Sequence, residues 1–204
     1  MSTATPDWDA RFARDEYIFG TAPNAFLAAQ AHRIPPGGRV LCVADGEGRN
    51  GVHLAQLGYA VESFDGSAVA VEKARRLAAE RGVEVAAEVA GLDDWAWPPD
   101  RYDAVAAIFV QFSPPDMRRR MWARILETLK PGGLMLCEGY GVEQLRYRTG
   151  GPPDPAHLYT EALLREELAG YEVESIRAYE ADVDEGPAHS GLSALVDAIA
   201  RRPG

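Results

Sequence analysis

Apolar positions along the chain alternate between two periods. Short, nearly continuous apolar runs at residues 39–44, 60–65, 83–89, 102–110 and 134–140 predict strands. Ala/Leu/Arg/Glu-rich stretches at 50–58, 67–81 and 115–130 predict helices between them. In the second helix Val69, Val71, Ala74, Leu77 and Ala78 form an apolar stripe, with Glu72, Lys73, Arg75 and Arg76 facing away. The run from 104 to 110 is almost wholly apolar, as suits a strand buried on both faces of a parallel sheet. Strand alternating with helix predicts a doubly wound α/β sheet with helices on both faces. The rhythm breaks at the end, where 171–181 and 191–201 read as strands joined around Glu185-Gly186-Pro187. That turn is too short for a helical crossover, so the last pair is expected to be an antiparallel hairpin. Glycine/proline clusters at 35–38, 131–133 and 149–153 punctuate the chain. The reading is one domain over 1–204, with a helical lid at 1–34 and a core at 35–204.

Charge narrows the partners. Lys and Arg number 21 against 31 Asp and Glu, a formal net charge of −10, which argues against a nucleic-acid partner. Arg118-Arg119-Arg120 reads as a solvated helix face, since successive helical residues diverge and Asp116 and Glu127 flank the run. The two cysteines, Cys42 and Cys137, sit in apolar runs and suit a reduced chain. With no basic, apolar leader pattern at the N-terminus and no apolar run near the roughly 20 residues of a membrane span, a cytoplasmic protein without a membrane partner is expected. The four histidines lack a metal-binding spacing, and no metal is expected.

The densest signal is Ala44-Asp45-Gly46-Glu47-Gly48-Arg49-Asn50-Gly51, directly after the first strand and opening a helix. Glycines there permit a sharp turn and close approach of a ligand, and the helix start offers free N–H groups. After the second strand, Asp65-Gly66-Ser67 places a carboxylate where a ribose diol would lie, and a carboxylate accepts two hydroxyl hydrogen bonds at once. Gly46-x-Gly48-x-x-Gly51 also satisfies the dinucleotide fingerprint, so an NAD(P)-dependent oxidoreductase is the rival. The terminal hairpin and the lack of any Tyr-x-x-x-Lys pair weigh against it.

The chain resembles the class I S-adenosylmethionine-dependent methyltransferases, and within them the small bacterial tellurite-resistance and thiopurine-methylating enzymes. The resemblance is carried by Trp8-Asp9-x-Arg11-Phe12, by Glu16-Tyr17-x-Phe19-Gly20-x-x-Pro23-Asn24-x-Phe26-Leu27 and by Gly46-Glu47-Gly48-Arg49-Asn50. It continues through Leu129-Lys130-Pro131-Gly132-Gly133, Thr149-Gly150-Gly151-Pro152, Glu185-Gly186 and His189-x-Gly191. It implies a Rossmann-like, seven-stranded sheet whose last strand runs antiparallel. It further implies S-adenosylmethionine as cofactor, contacted by Asp45, Gly46, Glu47, Gly48, Asn50, Asp65, Gly66, Ser67, Gly91, Leu92 and Phe109. Against the family pattern, Cys42 and Ala44 replace an acid and a glycine in the first motif. Ala90-Gly91-Leu92 lacks the acid that usually meets adenine unless Asp93 or Asp94 compensates, and Gln111 stands where the subgroup commonly has His. These departures keep a non-catalytic S-adenosylmethionine-binding module among the readings.

Methyl transfer is a displacement, so residues that orient and enclose matter most. The Asn-Pro-Pro-Tyr/Phe tetrad of amino-group methylation is absent after strand four, where the chain reads Phe109-Val110-Gln111-Phe112-Ser113-Pro114-Pro115. A small-molecule acceptor is expected: a thiol, a metalloid oxyanion or a similar nucleophile. His189, beside the hairpin turn, is the candidate base or anion ligand, with Tyr17 the second candidate catalytic residue. Tyr140, Arg146 and Arg148 are the candidate substrate contacts.

Overall fold

The computed structural model describes residues 7–204, so the first six residues of the expected lid lie outside the described residues. Seven strands form one sheet: β1 (Arg39–Val43), β2 (Ala60–Asp65), β3 (Val85–Val89), β4 (Tyr102–Ile108), β5 (Leu129–Tyr140), β6 (Glu172–Asp184) and β7 (Ser190–Arg201). Their order is β3-β2-β1-β4-β5-β7-β6. β7 lies antiparallel between β5 and β6, and the other pairings are parallel, so the doubly wound sheet and its terminal hairpin are both present.

Among the described residues six α-helices accompany it: α1 (Trp8–Phe12), α2 (Ala25–Gln30), α3 (Arg49–Gln56), α4 (Ala68–Glu80), α5 (Pro115–Thr128) and α6 (Glu161–Glu167). Period-two alternation divides the strands between two cores. Leu41, Val43, Val105, Ala107, Met135 and Cys137 face Trp122 of α5 and Leu164 of α6. Val40, Cys42, Ala104, Ala106, Leu134 and Leu136 face Phe26 and Leu27 of α2 and Leu54 of α3. No helix among the described residues is long and apolar enough to cross a membrane.

The differences from the expected elements have local causes. The helix expected to reach residue 130 stops at Thr128, and β5 starts at Leu129 rather than 134. Tyr102 pairs with Leu129 but Ala104 with Leu134, so Lys130-Pro131-Gly132-Gly133 bulges out, with Gly132 at φ 74° and tied to the Arg202 carbonyl. α6 is too short to show a period; the Thr160 side chain starts it and buried Leu164 anchors it. Two strands end early at strained residues: β1 before Ala44 (φ 48°) and β4 before Phe109 (φ 55°). β1 and β4 are neighbours, and the strand order reverses between them. Both chains therefore leave the sheet sharply at one place, outside the carboxyl ends, where open α/β sheets bind ligands.

Candidate active site

The loop after β1 floors this crevice. Gly46 and Gly48 take φ of 56° and 86°, and a Cβ on Gly48 would lie 2.6 Å from the Cβ of Ala74, so the loop packs directly on α4. A Cβ on Gly51 would meet Asp45 Oδ2 at 2.7 Å, the oxygen that accepts the Gly51 N–H at 2.9 Å. Asp45 thus ties the loop to α3. Burial pushes its carboxyl up to about 7, against the pull of that hydrogen bond and of the Arg49 charge. At the end of β2, Asp65 accepts the N–H groups of Gly46 and Ser67, at 2.9 and 2.8 Å. Desolvation raises its pKa despite those bonds. Ser67 caps α4, while Gly66 stands open with no atom near its missing Cβ.

Across the sheet, Leu92 is buried in the core and its carbonyl accepts the Trp97 indole N–H at 2.9 Å. At Gly91 the space a side chain would take is approached by Asp94, whose Oδ2 lies 3.0 Å from the Cβ position. Asp93 turns outward to Arg120 instead. Of the two nearby acids, it is Asp94 that lies at the turn. Beside it Trp95 stacks on Phe64 with centroids 4.8 Å apart, and its buried indole N–H has no partner.

The N-terminal segment roofs the crevice. Asp9 reaches Ser67 Oγ at 2.5 Å, the ring of Phe12 comes within 3.5 Å of the Gly46 Cβ position, and Trp8 meets Phe112 edge-on at 6.2 Å. A buried lysine fastens it: Lys73 Nζ donates to the carbonyls of Phe12, Arg14 and Glu16 and to Glu47 Oε1 at 2.5 Å. Lys73 was expected on the solvent face of its helix. Its four acceptors, all outside that helix, draw it inward. Glu47, expected at the cofactor, is occupied by Lys73 and the Phe19 N–H, and Asn50 accepts the Asn24 N–H. Gly20 and Gly186 touch backbone to backbone, since a Cβ on Gly186 would collide with Phe19 and Gly20. Asn24 starts α2 and donates to Glu138 and Glu185, joining the roof to β5 and the hairpin turn.

Under that roof lies an aromatic recess. His189 is 4.4 Å from Phe109, 4.6 Å from Phe19 and 5.5 Å from Tyr140, centroid to centroid. Burial and the charges of Arg49 and Arg11 push its imidazole down to about 3, so it stays neutral across the physiological range. Burial also raises the Tyr140 hydroxyl, which stays protonated. Arg49 binds Glu185 at 2.7 Å through one arm. Arg49 Nη1, Tyr140 Oη and His189 Nδ1 are all buried and have no hydrogen-bond partner.

The structure therefore brings Phe109, Tyr140 and His189 together and adds Arg49, whose role the glycine-loop pattern concealed. It does not bring the other expected contacts there. Tyr17 packs by Val52, Leu77 and Ala78, its hydroxyl 3.3 Å from the Lys73 carbonyl. Arg146 is exposed and paired with Glu143, and Arg148 is exposed with φ 56°. Arg118, expected in solvent, is buried in a forked pair with Glu167 at 2.8 Å, while Arg119 and Arg120 are exposed. Gln111 fills the place of the subgroup histidine by bracing strands: its amide bonds the carbonyls of Tyr140 and His157 and the N–H of Tyr140. Sequence gave no sign of the buried Glu138, which faces Asp197 across the sheet and is pushed up to about 8 by burial and that carboxylate.

Residues 40–133 match the family model described as a methyltransferase domain. No curated protein matches the sequence. Among solved structures, the chain is similar to the protein described in the conversion of a disulfide bond into a thioacetal group during echinomycin biosynthesis, at 23% identity, TM-score 0.81 and coverage of 98% of this chain and 91% of that one. It is similar to an S-adenosylmethionine-dependent methyltransferase from Methanosarcina mazei at 20% identity and TM-score 0.69, covering 84% of this chain and 96% of that one. TehB from Haemophilus influenzae gives 19% identity and TM-score 0.71 over 89% of this chain, which spans 63% of TehB. At such identities these structures establish the fold. The domain match over residues 40–133 agrees with that fold.

Proposed function

We propose that this chain, built as an S-adenosylmethionine-dependent methyltransferase, methylates a small-molecule acceptor — a thiol, a metalloid oxyanion or a similar nucleophile — in the cytoplasm. The observation that carries the acceptor class is the roof. Trp8, Phe12 and Phe19 close over the carboxyl ends of β1 and β4, and the recess beneath is walled by Phe109, Tyr140 and His189. A recess so enclosed admits a small molecule rather than a folded protein or a duplex.

The residues present fit the cofactor. Gly46 keeps the loop open to close approach, and Asp65 retains free lone pairs on both oxygens for the ribose diol. Asp94 supplies a carboxylate at the turn where the adenine amino group is met, and the unpartnered Trp95 indole N–H lies alongside. Bound there, S-adenosylmethionine supplies an electrophilic methyl on a sulfonium. The N-terminal segment excludes water and holds the recess shut, Lys73 keeps the segment fastened, and His189 borders the acceptor. Titration calorimetry with S-adenosylhomocysteine and NADH tests the cofactor: the first should bind and the second should not. Binding of NADH alone would overturn the reading. A labelled-methyl assay over selenite, tellurite and small thiols then tests the acceptor, and transfer to none of them would refute the class.

A further inference from the structure

We infer that Glu138 is a positioning residue: in its protonated form it holds Asn24, and through Asn24 it seats the roof over the cofactor crevice. This rests on the cofactor reading above. Asn24 is wholly buried, and each of its polar atoms is used. Its N–H goes to Asn50 at the start of α3, at 2.9 Å, and its Oδ1 and carbonyl start α2 by accepting from Leu27 and Ala28. Its side-chain amide donates to Glu138 Oε1 at 2.5 Å and to Glu185 Oε1 at 3.0 Å. One residue thus joins the helix behind the glycine loop, the roof, β5 and the hairpin turn, and Glu138 takes the shortest of its bonds. Lys73 fastens the segment at residues 12–16; Glu138 fastens it again at residue 24.

Proton counting places a proton on Glu138. The Tyr179 hydroxyl on β6 lies 2.6 Å from Glu138 Oε2 and 3.1 Å from Asp197 Oδ1 on β7. A hydroxyl has one proton to give, so both contacts are hydrogen bonds only if one of the two carboxyls carries a proton. Asp197 has the Arg177 guanidinium at 2.9 Å, whereas Glu138 meets only neutral donors, and the proton belongs on Glu138. The bonds then run one way, from the Asn24 amide to Glu138, from Glu138 to Tyr179 and from Tyr179 to Asp197. Charge counting agrees. The charged groups around Glu138 are Asp197 with Arg177, from the hairpin strands, and Glu185 of their turn with Arg49 of α3, which make two balanced pairs. Tyr179, and Tyr140 and Cys137 of its own strand, are held protonated by burial first and by the neighbouring carboxylates second. An ionised Glu138, only 2% exposed, would add a negative charge with no cation opposite it. Burial accordingly pushes its carboxyl up to about 8. Water is the relief open to that charge, and the roof residue standing against it is Asn24. Closing the roof therefore takes up a proton: closure is fullest at acid pH and is lost as Glu138 ionises toward pH 8.

The test reads two quantities on the full chain at pH 6 and pH 8: S-adenosylhomocysteine affinity by calorimetry, and deuterium exchange of the α2 amides corrected for their intrinsic rates. In the wild type, affinity and α2 protection should each fall at least threefold between the two pH values. Glu138→Ala should be weak in both at either pH. Glu138→Gln, the isostere of the protonated side chain, should recover the wild-type values of pH 6 and hold them within twofold at pH 8. If Glu138→Ala does not fold, Glu138→Gln against the wild type carries the test by itself. Equal pH profiles in the wild type and Glu138→Gln are what a merely structural carboxyl predicts, and they would overturn the assignment. So would a glutamine variant as weak at pH 6 as the alanine one. Failure of S-adenosylhomocysteine to bind the wild type would instead sink the cofactor reading beneath it, and the α2 exchange would still decide on Glu138.

Discussion

Replacing Lys73 by Met should unfasten the N-terminal segment. The Lys73 side chain is 5% exposed and that of Glu47 2%, so the pair is almost dry. Methionine restores the volume but leaves that carboxylate with only the Phe19 N–H at 3.4 Å, and frees three carbonyls of residues 12, 14 and 16. Removing one partner of a buried ion pair costs about 3–5 kcal/mol, because the remaining charge stays desolvated. With a urea dependence of about 2 kcal/mol per molar, the unfolding midpoint should fall by roughly 2 M. Adding Glu47→Gln removes the stranded charge and should restore about 1–2 kcal/mol, since neutral groups cost less to leave unpaired. Urea unfolding followed by circular dichroism reads the midpoint, and limited proteolysis reads the segment. Cleavage between residues 12 and 20 should rise in the single variant, and S-adenosylhomocysteine should suppress it if the segment is a lid. A midpoint change below about 0.5 M together with unchanged cleavage would refute the clasp, because no buried charge could then have been stranded.

Asp65→Asn should weaken S-adenosylhomocysteine by about 1.5–3 kcal/mol, the worth of hydrogen bonds to a charged group; unchanged affinity in calorimetry would remove Asp65 from the ribose site. Burial and the Asp197 carboxylate push the Glu138 carboxyl up to about 8, above an ordinary carboxylate in the unfolded chain, so the folded state holds the extra proton between those values. Its contribution is therefore complete at acid pH and is lost as pH rises toward 8. Asp45, raised to about 7, adds a loss of the same sign, while His189 acts oppositely, costing stability below its unfolded pKa. Glu138→Gln should flatten the decline in urea midpoint between pH 6 and 8, and an unchanged slope would assign that decline to other groups.

The alternation of runs was enough to place the central strands because β1, β4 and residues 134–137 of β5 are apolar on both faces, a pattern visible without neighbours. Boundaries depended on tertiary demands. Val110 looks like strand in composition, yet the chain turns out of β4 at Phe109, which takes a φ of 55° just after its N–H makes a last bond to the Glu138 carbonyl of β5 at 2.7 Å. The glycine loop and Asp65 were legible because they follow strand ends at a fixed offset. The recess was only half legible. Phe109, Tyr140 and His189 could be named, but Arg49 reads as one more polar residue of a helix start, and Lys73 as one more cation of a solvated face. What separates them from Arg75 or Arg76 is a buried carboxylate partner far away in sequence, Glu185 for Arg49 and Glu47 for Lys73, and no local period carries that information. Arg146 and Arg148 show the converse: a basic pair beside a glycine turn suggested a substrate, but both side chains are exposed and Arg146 is paired with Glu143.

The position of β7 makes the hairpin a ruler. β6 meets the sheet only through β7, and the turn between them carries Glu185 and His189, the residues that meet Asn24, Arg49 and Phe19. A slip of two residues between β7 and β5 would keep every side chain on its proper face and satisfy most backbone bonds, yet carry the turn about 6.6 Å along the strand. Asn24 and Arg49 would then reach past it. The contacts of Tyr179 on β6 with Glu138 of β5 at 2.6 Å and with Asp197 of β7 at 3.1 Å are polar and short, and they tolerate no such slip. The acidic cluster buried in the sheet thus sets the reading frame of its last strand, and the reach of the recess is measured from it.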